Sequence, residues 1–171
     1  MDTAITRHTM EGGAQAPPSS FQRLRQPGLA NLLITGGESG ERARIAREFH
    51  AASWLRMGPF VMANARHVDW PAALLQALLR HTARVVDTPL LRAEGGTLLL
   101  DEIDHLSVDA QRLLFEFLRR GRSDRACDVG WAGRIAAGAT GDLGVLVANG
   151  RFLAPLQDAL DKIHIDLGSA L

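Results

Sequence analysis

A short apolar run, Leu32-Leu33-Ile34-Thr35, opens onto Gly36-Gly37-Glu38-Ser39-Gly40-Glu41-Arg42-Ala43 and then onto a helical pattern. Strand, glycine-rich turn and helix in that order is the arrangement in which backbone N–H groups and a helix N-terminus hold phosphate. Farther along, Thr97-Leu98-Leu99-Leu100 delivers two adjacent carboxylates, Asp101 and Glu102, at its C-terminal end. In a nucleotide hydrolase the first of such a pair holds Mg²⁺, directly or through water, and the second polarises the attacking water. Ligands bind at the C-terminal edge of a parallel sheet, so the turn and the carboxylates would meet at one rim. Taken alone, Asp101-Glu102 is equally what a strand end looks like where it reaches solvent. The glycine-rich turn upstream is what gives the pair its meaning.

The remaining chemistry-bearing side chains read as structure. His105 reads as a surface or capping residue, and His164, between Ile163 and Ile165, as a solvent-facing strand position. The six histidines show no metal spacing. Arg119-Arg120-Gly121-Arg122 and Arg125 form a basic cluster, but 19 Lys+Arg balance 19 Asp+Glu, so a solvated helix end is the better reading. Trp54, Trp70 and Trp131 read as packing residues. The lone Cys127 excludes a disulfide framework and any multi-cysteine zinc site. Of the basic residues only Lys162 is a lysine, so chemistry that needs a lysine earlier in the chain is excluded.

The elements that must position these residues are legible too. The chain has 171 residues, 46% apolar and 22% charged, which is one globular domain and excludes a disordered tail, a collagen-like fibre or a coiled-coil rod. No stretch approaches a membrane span, and the opening MDTAITRHTM lacks the apolar run of a signal peptide, so a cytoplasmic location is expected. Residues 1–20 read as a flexible arm and 21–171 as the core. Strands are predicted at 32–35, 60–64, 97–101, 134–138 and 162–166. Helices are predicted at about 41–54, 71–86, 109–120, 142–148 and 155–161, with a loop from Gly121 to Gly133. Strands alternating with helices give an α/β three-layer sandwich around a five-stranded parallel sheet.

Several blocks together resemble the AAA+ core of the bacterial sigma-54-dependent transcription activators, from about Arg23 to Leu167. Ala93-Glu94-Gly95-Gly96-Thr97-Leu98-Leu99-Leu100-Asp101-Glu102-Ile103 is similar to that family's Walker B segment, A-x-G-G-T-L-F-L-D-E-I. Asp109-Ala110-Gln111 and Leu113-Leu114 continue the match into the next helix. Gly58-Pro59-Phe60-Val61 with Asn64 resembles the family's second strand and the Asn that interacts with the Walker B glutamate. Val147 to Phe152 resembles the approach to its arginine fingers. The resemblance implies a P-loop NTPase fold. It implies a catalytic set of Asp101, Glu102 and Asn64, with Mg²⁺ on Asp101 if nucleotide binds. It also implies a phosphate loop over Gly36, Gly37, Glu38, Ser39, Gly40, Glu41, Arg42 and Ala43.

The departures from the family pattern carry the functional expectation. The family's phosphate loop reads G-E-S-G-T-G-K-E; aligned without gaps, Glu41 stands at the last Gly and Arg42 at the Lys. A register shifted by one residue aligns Glu38-Ser39-Gly40 with E-S-G and still supplies no Lys. A lysine ammonium is a compact point charge, whereas a guanidinium is longer and planar and does not occupy the same space. Glu41 adds a Cβ and a like charge where phosphate must approach. The sigma-contacting GAFTGA loop has no counterpart between Asn64 and Ala93, where the chain reads Arg80-His81-Thr82-Ala83-Arg84-Val85-Val86. The two finger positions fall on Leu153 and Ala159, and Thr140 stands for the sensor Asn of the fourth strand.

The expectation is therefore an AAA+ core without lid or DNA-binding domain, deficient in hydrolysis, that acts in transcription regulation through protein contacts. Its expected cofactor is none, or weakly bound Mg-ATP or Mg-ADP. Its expected partners are an AAA+ activator or a second copy, reached through an apolar finger face around Leu153, with no DNA-binding domain, no membrane, and sigma-54 contact not expected for want of the GAFTGA loop. The alternatives are a weak nucleotide-binding protein or slow ATPase with an unorthodox phosphate loop, and a gene remnant.

Overall fold

The computed structural model describes residues 30–79, 87–123 and 131–168. Its strands are β1 (Leu32–Thr35), β2 (Phe60–Asn64), β3 (Thr97–Asp101), β4 (Arg134–Ala139) and β5 (Ile163–Asp166). They form one sheet in the order β2-β3-β4-β1-β5, and every pairing is parallel. The three inner strands are buried along their whole length. That is why they read as continuous apolar runs rather than alternating ones.

The two faces are covered separately. Leu32, Ile34, Leu99 and Ala136 pack under Ala43, Ile45, Ala46 and Phe49 of α1 (Ser39–Ala51). The intervening residues, among them Leu33, Leu98, Leu100 and Ala137, face the larger cluster. That cluster takes in α2 (Trp70–Leu78), α3 (Pro89–Arg92), α4 (Val108–Ser123), α5 (Leu143–Ala148) and α6 (Ala154–Leu160). Asp69 caps α2 through Ala72 N–H at 3.2 Å with Pro71 in its first turn, and Asp142 caps α5 through Gly144 N–H at 2.7 Å. The expected α/β sandwich with five parallel strands is the observed one. No helix among the described residues is long and apolar enough to cross a membrane.

Some expectations need correction. The helix expected over 71–86 ends at Leu78, and the sequence reading missed α3, which Thr88 caps at 3.3 Å. The loop expected from Gly121 begins later, because α4 runs on to Ser123. Trp54 does not pack: it is 59% exposed, while Trp70 and Trp131 are buried. In the turn after α1 its neighbours Ser53 and Leu55 face inward, which leaves Trp54 pointing out. His164 is not solvent-facing but half-buried, its Nε2 lying 2.9 Å from Thr35 Oγ1 on the neighbouring strand. On the finger face Leu156 and Leu160 are buried, Leu153 and Ala159 pack in part against the same core, and Ala154 and Pro155 are exposed. The arm at 1–20, the stretch Arg80 to Val86, Arg125 and Cys127 lie outside the described residues.

Candidate functional site

β1 ends at Thr35 and α1 begins at Ser39, so only Gly36, Gly37 and Glu38 connect them. Gly36 (φ +74°) and Gly37 (φ +61°) are both left-handed, a conformation costly for any residue with a Cβ. A side chain on Gly36 would also strike the backbone of Gly168. Their N–H groups are committed to neighbouring chain segments: Gly36 donates to Ala139 O at 3.0 Å and Gly37 to Gly168 O at 3.1 Å. With the N–H groups turned outward, the carbonyls of both glycines turn in.

Arg42 fills the space these carbonyls face. It stands in the first turns of α1, and only 2% of it is exposed. Its Nη1 donates to Gly36 O at 3.1 Å and Gly37 O at 2.7 Å. Its Nε donates to Asp101 Oδ1 at 2.6 Å and its Nη2 to Asp101 Oδ2 at 3.2 Å, a two-pronged pair. Ser39 Oγ donates to Asp101 Oδ2 at 2.5 Å. Burial alone would raise the Asp101 carboxyl, but the hydrogen bonds from Arg42 and Ser39 and the guanidinium charge outweigh it and hold it below the usual carboxylate range. Asp101 is therefore an anion with its counter-charge already in place.

Gly138 on β4 makes the room for this pair, and sequence reasoning passed it over as one more small strand residue. A Cβ there would collide with Asp101 Oδ1 and come within 3.1 Å of Arg42 Cδ and Nε. A glycine inside a buried strand signals close approach by another group, and that signal was present in the sequence.

A second cluster surrounds Glu102, whose backbone is itself left-handed at φ 55°. Arg66 Nε donates to Glu102 Oε2 at 2.5 Å, and Arg66 Nη2 lies 2.5 Å from His105 Nε2. Asn64, expected to meet Glu102, instead accepts the backbone N–H of Arg66 at 2.8 Å through Oδ1. Thr140 donates its N–H and Oγ1–H to Asp104 at 3.1 and 2.5 Å. Asp104 and His105 belong to a 3-10 turn over Ile103–His105, not to the Gly36–Arg42 turn.

The expected site residues thus separate into three groups. Gly36, Gly37, Ser39, Arg42 and Asp101 come together; Asn64, Glu102 and Thr140 form an adjoining network at the same sheet edge. Ala43 belongs to the core, Glu38 is the exposed residue before α1 with no capping bond, and Gly40 faces open space. The exposed Glu41 carboxylate overhangs the turn, close to where a Gly37 Cβ would lie. Arg42 thus engages the Asp101 carboxylate and both glycine carbonyls, with the Glu41 carboxylate close to the same turn.

A family model described as the sigma-54 interaction domain matches residues 19–166. The DNA-binding transcriptional regulator NtrC of Bradyrhizobium sp. (strain RP501 Parasponia) is 33% identical over 158 residues, covering 84% of this chain and 32% of the relative. NtrX from Brucella abortus, solved in complex with ADP, matches with a TM-score of 0.69 at 25% identity over 86% of this chain and 35% of that one. The P-loop NTPase domain of a sigma-54 transport activator from E. coli shares the fold, with a TM-score of 0.57 at 20% identity over 86% of this chain and 96% of that one. The chain spans between 26% and 38% of the length of eight curated relatives that it matches.

Proposed function

The chain belongs to the sigma-54 interaction domain family, an AAA+ fold, and from that premise we propose that it is a hydrolysis-deficient core that acts in transcription regulation through protein contacts. One observation supports the deficiency: the Arg42–Asp101 pair places a guanidinium where the family's chemistry needs Mg²⁺ on the carboxylate. Leu153 and Ala159 at the finger positions point the same way. A finger supplied to a neighbour contributes roughly 10³–10⁵ in rate, and neither side chain carries charge. The partner this reading implies is a related AAA+ core or a second copy. Sigma-54 itself is not expected, because Arg80 to Val86 carries no sigma-contacting motif.

The test is turnover. Purified protein given Mg-ATP is expected to release no more phosphate than its Glu102→Gln variant. Hydrolysis that Glu102→Gln abolishes would overturn this reading in favour of a slow ATPase, which requires Arg42 to leave Asp101. For the partner, a full-length activator from the native host should co-purify with the tagged chain, or the chain should self-associate in sedimentation. A monomer that ignores every activator core offered to it would leave the remnant reading standing.

A further inference from the structure

We propose that the turn between β1 and α1 is a cation site shaped for a guanidinium, and that Arg42 is the ligand the chain supplies to it. Four oxygens, from Asp101, Gly36 and Gly37, accept from the three nitrogens of one guanidinium. Ser39 fixes the carboxylate from its other side, and Gly138 leaves the space in which the group lies. The backbone at the start of the turn agrees with this: the N–H groups of Gly36 and Gly37 bond to Ala139 and Gly168, and their carbonyls accept from Arg42.

Such a site selects by charge and by shape. Two carbonyl dipoles and one carboxylate repel phosphate and attract a cation. A planar fork can meet the carboxylate through two nitrogens while its third nitrogen reaches both carbonyls; an ammonium, as a point charge, cannot make all four contacts in that geometry. The ligand class is therefore a guanidinium cation: an arginine side chain, an alkylguanidinium, or the free ion. This inference rests on the same pair as the functional reading but not on the absence of hydrolysis.

The test removes the ligand and offers it back to the full chain. Arg42→Ala is expected to lower Tm by roughly 10 °C or more, since Asp101 is left buried and unpaired. Millimolar guanidinium or methylguanidinium chloride should raise Tm by several degrees and saturate, whereas equal sodium chloride or Mg-ADP should not. The wild type, its site already filled, should gain nothing. Adding Asp101→Asn to Arg42→Ala should weaken this rescue at least tenfold.

Absence of rescue below the denaturing range of guanidinium, or stabilisation of Arg42→Ala by Mg-ADP instead, overturns the proposal. If Arg42→Ala does not fold, ¹⁵N spectra of the wild type decide the matter. The Arg42 Nε–H must exchange slowly and stay unmoved by Mg-ATP; fast exchange or a shift on adding nucleotide overturns the site. ATP turnover by the wild type, measured separately, with rescue intact sinks only the functional reading. No turnover and no rescue sinks only the cation site.

Discussion

Arg66 holds Glu102 across the C-terminal edge of the sheet, Nε to Oε2 at 2.5 Å, and Glu102 meets it from a left-handed backbone. Asn64 stands one step back, accepting the Arg66 N–H and so fixing the turn that aims the guanidinium. Both carboxylates of the Asp101-Glu102 pair therefore face an arginine of the same chain. The two pairs differ in weight. Arg42 and Asp101 are buried, while the Arg66 side chain is 53% exposed, so its ion pair is screened by water and contributes little to stability.

The exposed pair makes a prediction about protons rather than stability. A guanidinium only donates, so His105 Nε2, 2.5 Å from Arg66 Nη2, must accept. The neutral imidazole then carries its proton on Nδ1, toward Asp104 Oδ2 at 3.4 Å. Side-chain ¹⁵N shifts should report the Nδ1–H tautomer in the wild type and a mixture in Arg66→Ala. Finding the Nε2–H form in the wild type would mean that Arg66 does not reach His105.

The buried pair does make a prediction about stability. Asp101→Asn leaves the Arg42 guanidinium buried beside a neutral amide, and breaking a buried pair from one side costs about 3–5 kcal/mol. Urea denaturation should show that loss. Replacing both partners by apolar residues, Arg42→Met with Asp101→Leu, should recover most of it, because no charge is then left without its partner. A loss under about 1 kcal/mol for Asp101→Asn would contradict the pairing described here.

Stability should also fall in two steps as pH is lowered. Burial first, and the Arg134 charge second, hold the His50 imidazolium below its ordinary 6.5. As pH falls through 6.5 the unfolded chain takes up a proton that the native state resists, so stability declines there. Asp101 is held below its ordinary 3.8, so the unfolded carboxyl is protonated first and a second decline begins near that value. The denaturant midpoint should be level at neutral pH and drop at both points. His50→Gln should remove the upper step and Asp101→Asn the lower; an upper step that survives His50→Gln assigns it to another histidine.

The strands were readable because three of them are buried on both faces, which leaves apolar runs such as Leu98-Leu99-Leu100, too short for a helix and set off by Gly95-Gly96. Helix ends set by tertiary contact were not: α3 rests on a Thr88 cap and a Pro start within four residues, too short for any periodicity. At the site, the sequence pointed to the residues of the turn but not to the contacts its carbonyls make. Missing Lys and present Arg42 read as a loss, since nothing local says that Gly36 and Gly37 would aim their carbonyls inward. That follows from long-range bonds to Ala139 and Gly168, which only the assembled sheet provides. Arg66 was missed altogether, because its partners Glu102 and His105 are distant in sequence and meet it only where β2 lies beside β3.

Gly138 offers the sharpest separation between a site and an ordinary strand. It pairs with Ile34 on β1, where alanine would normally be tolerated, as it is at Ala136, Ala137 and Ala139. An added Cβ would press on Asp101 Oδ1 and on Arg42 Cδ and Nε, so Gly138→Ala should cost about 1–3 kcal/mol by overpacking. In the Arg42→Ala background one obstacle is gone, and the carboxylate, held only by Ser39, can turn Oδ1 aside from the new methyl. The same substitution should then cost less than about 1 kcal/mol, a coupling of roughly 1–2 kcal/mol in a double-mutant cycle read by urea denaturation. Additive losses would show that Gly138 answers to the strand alone and that the space beside Asp101 was not shaped around Arg42.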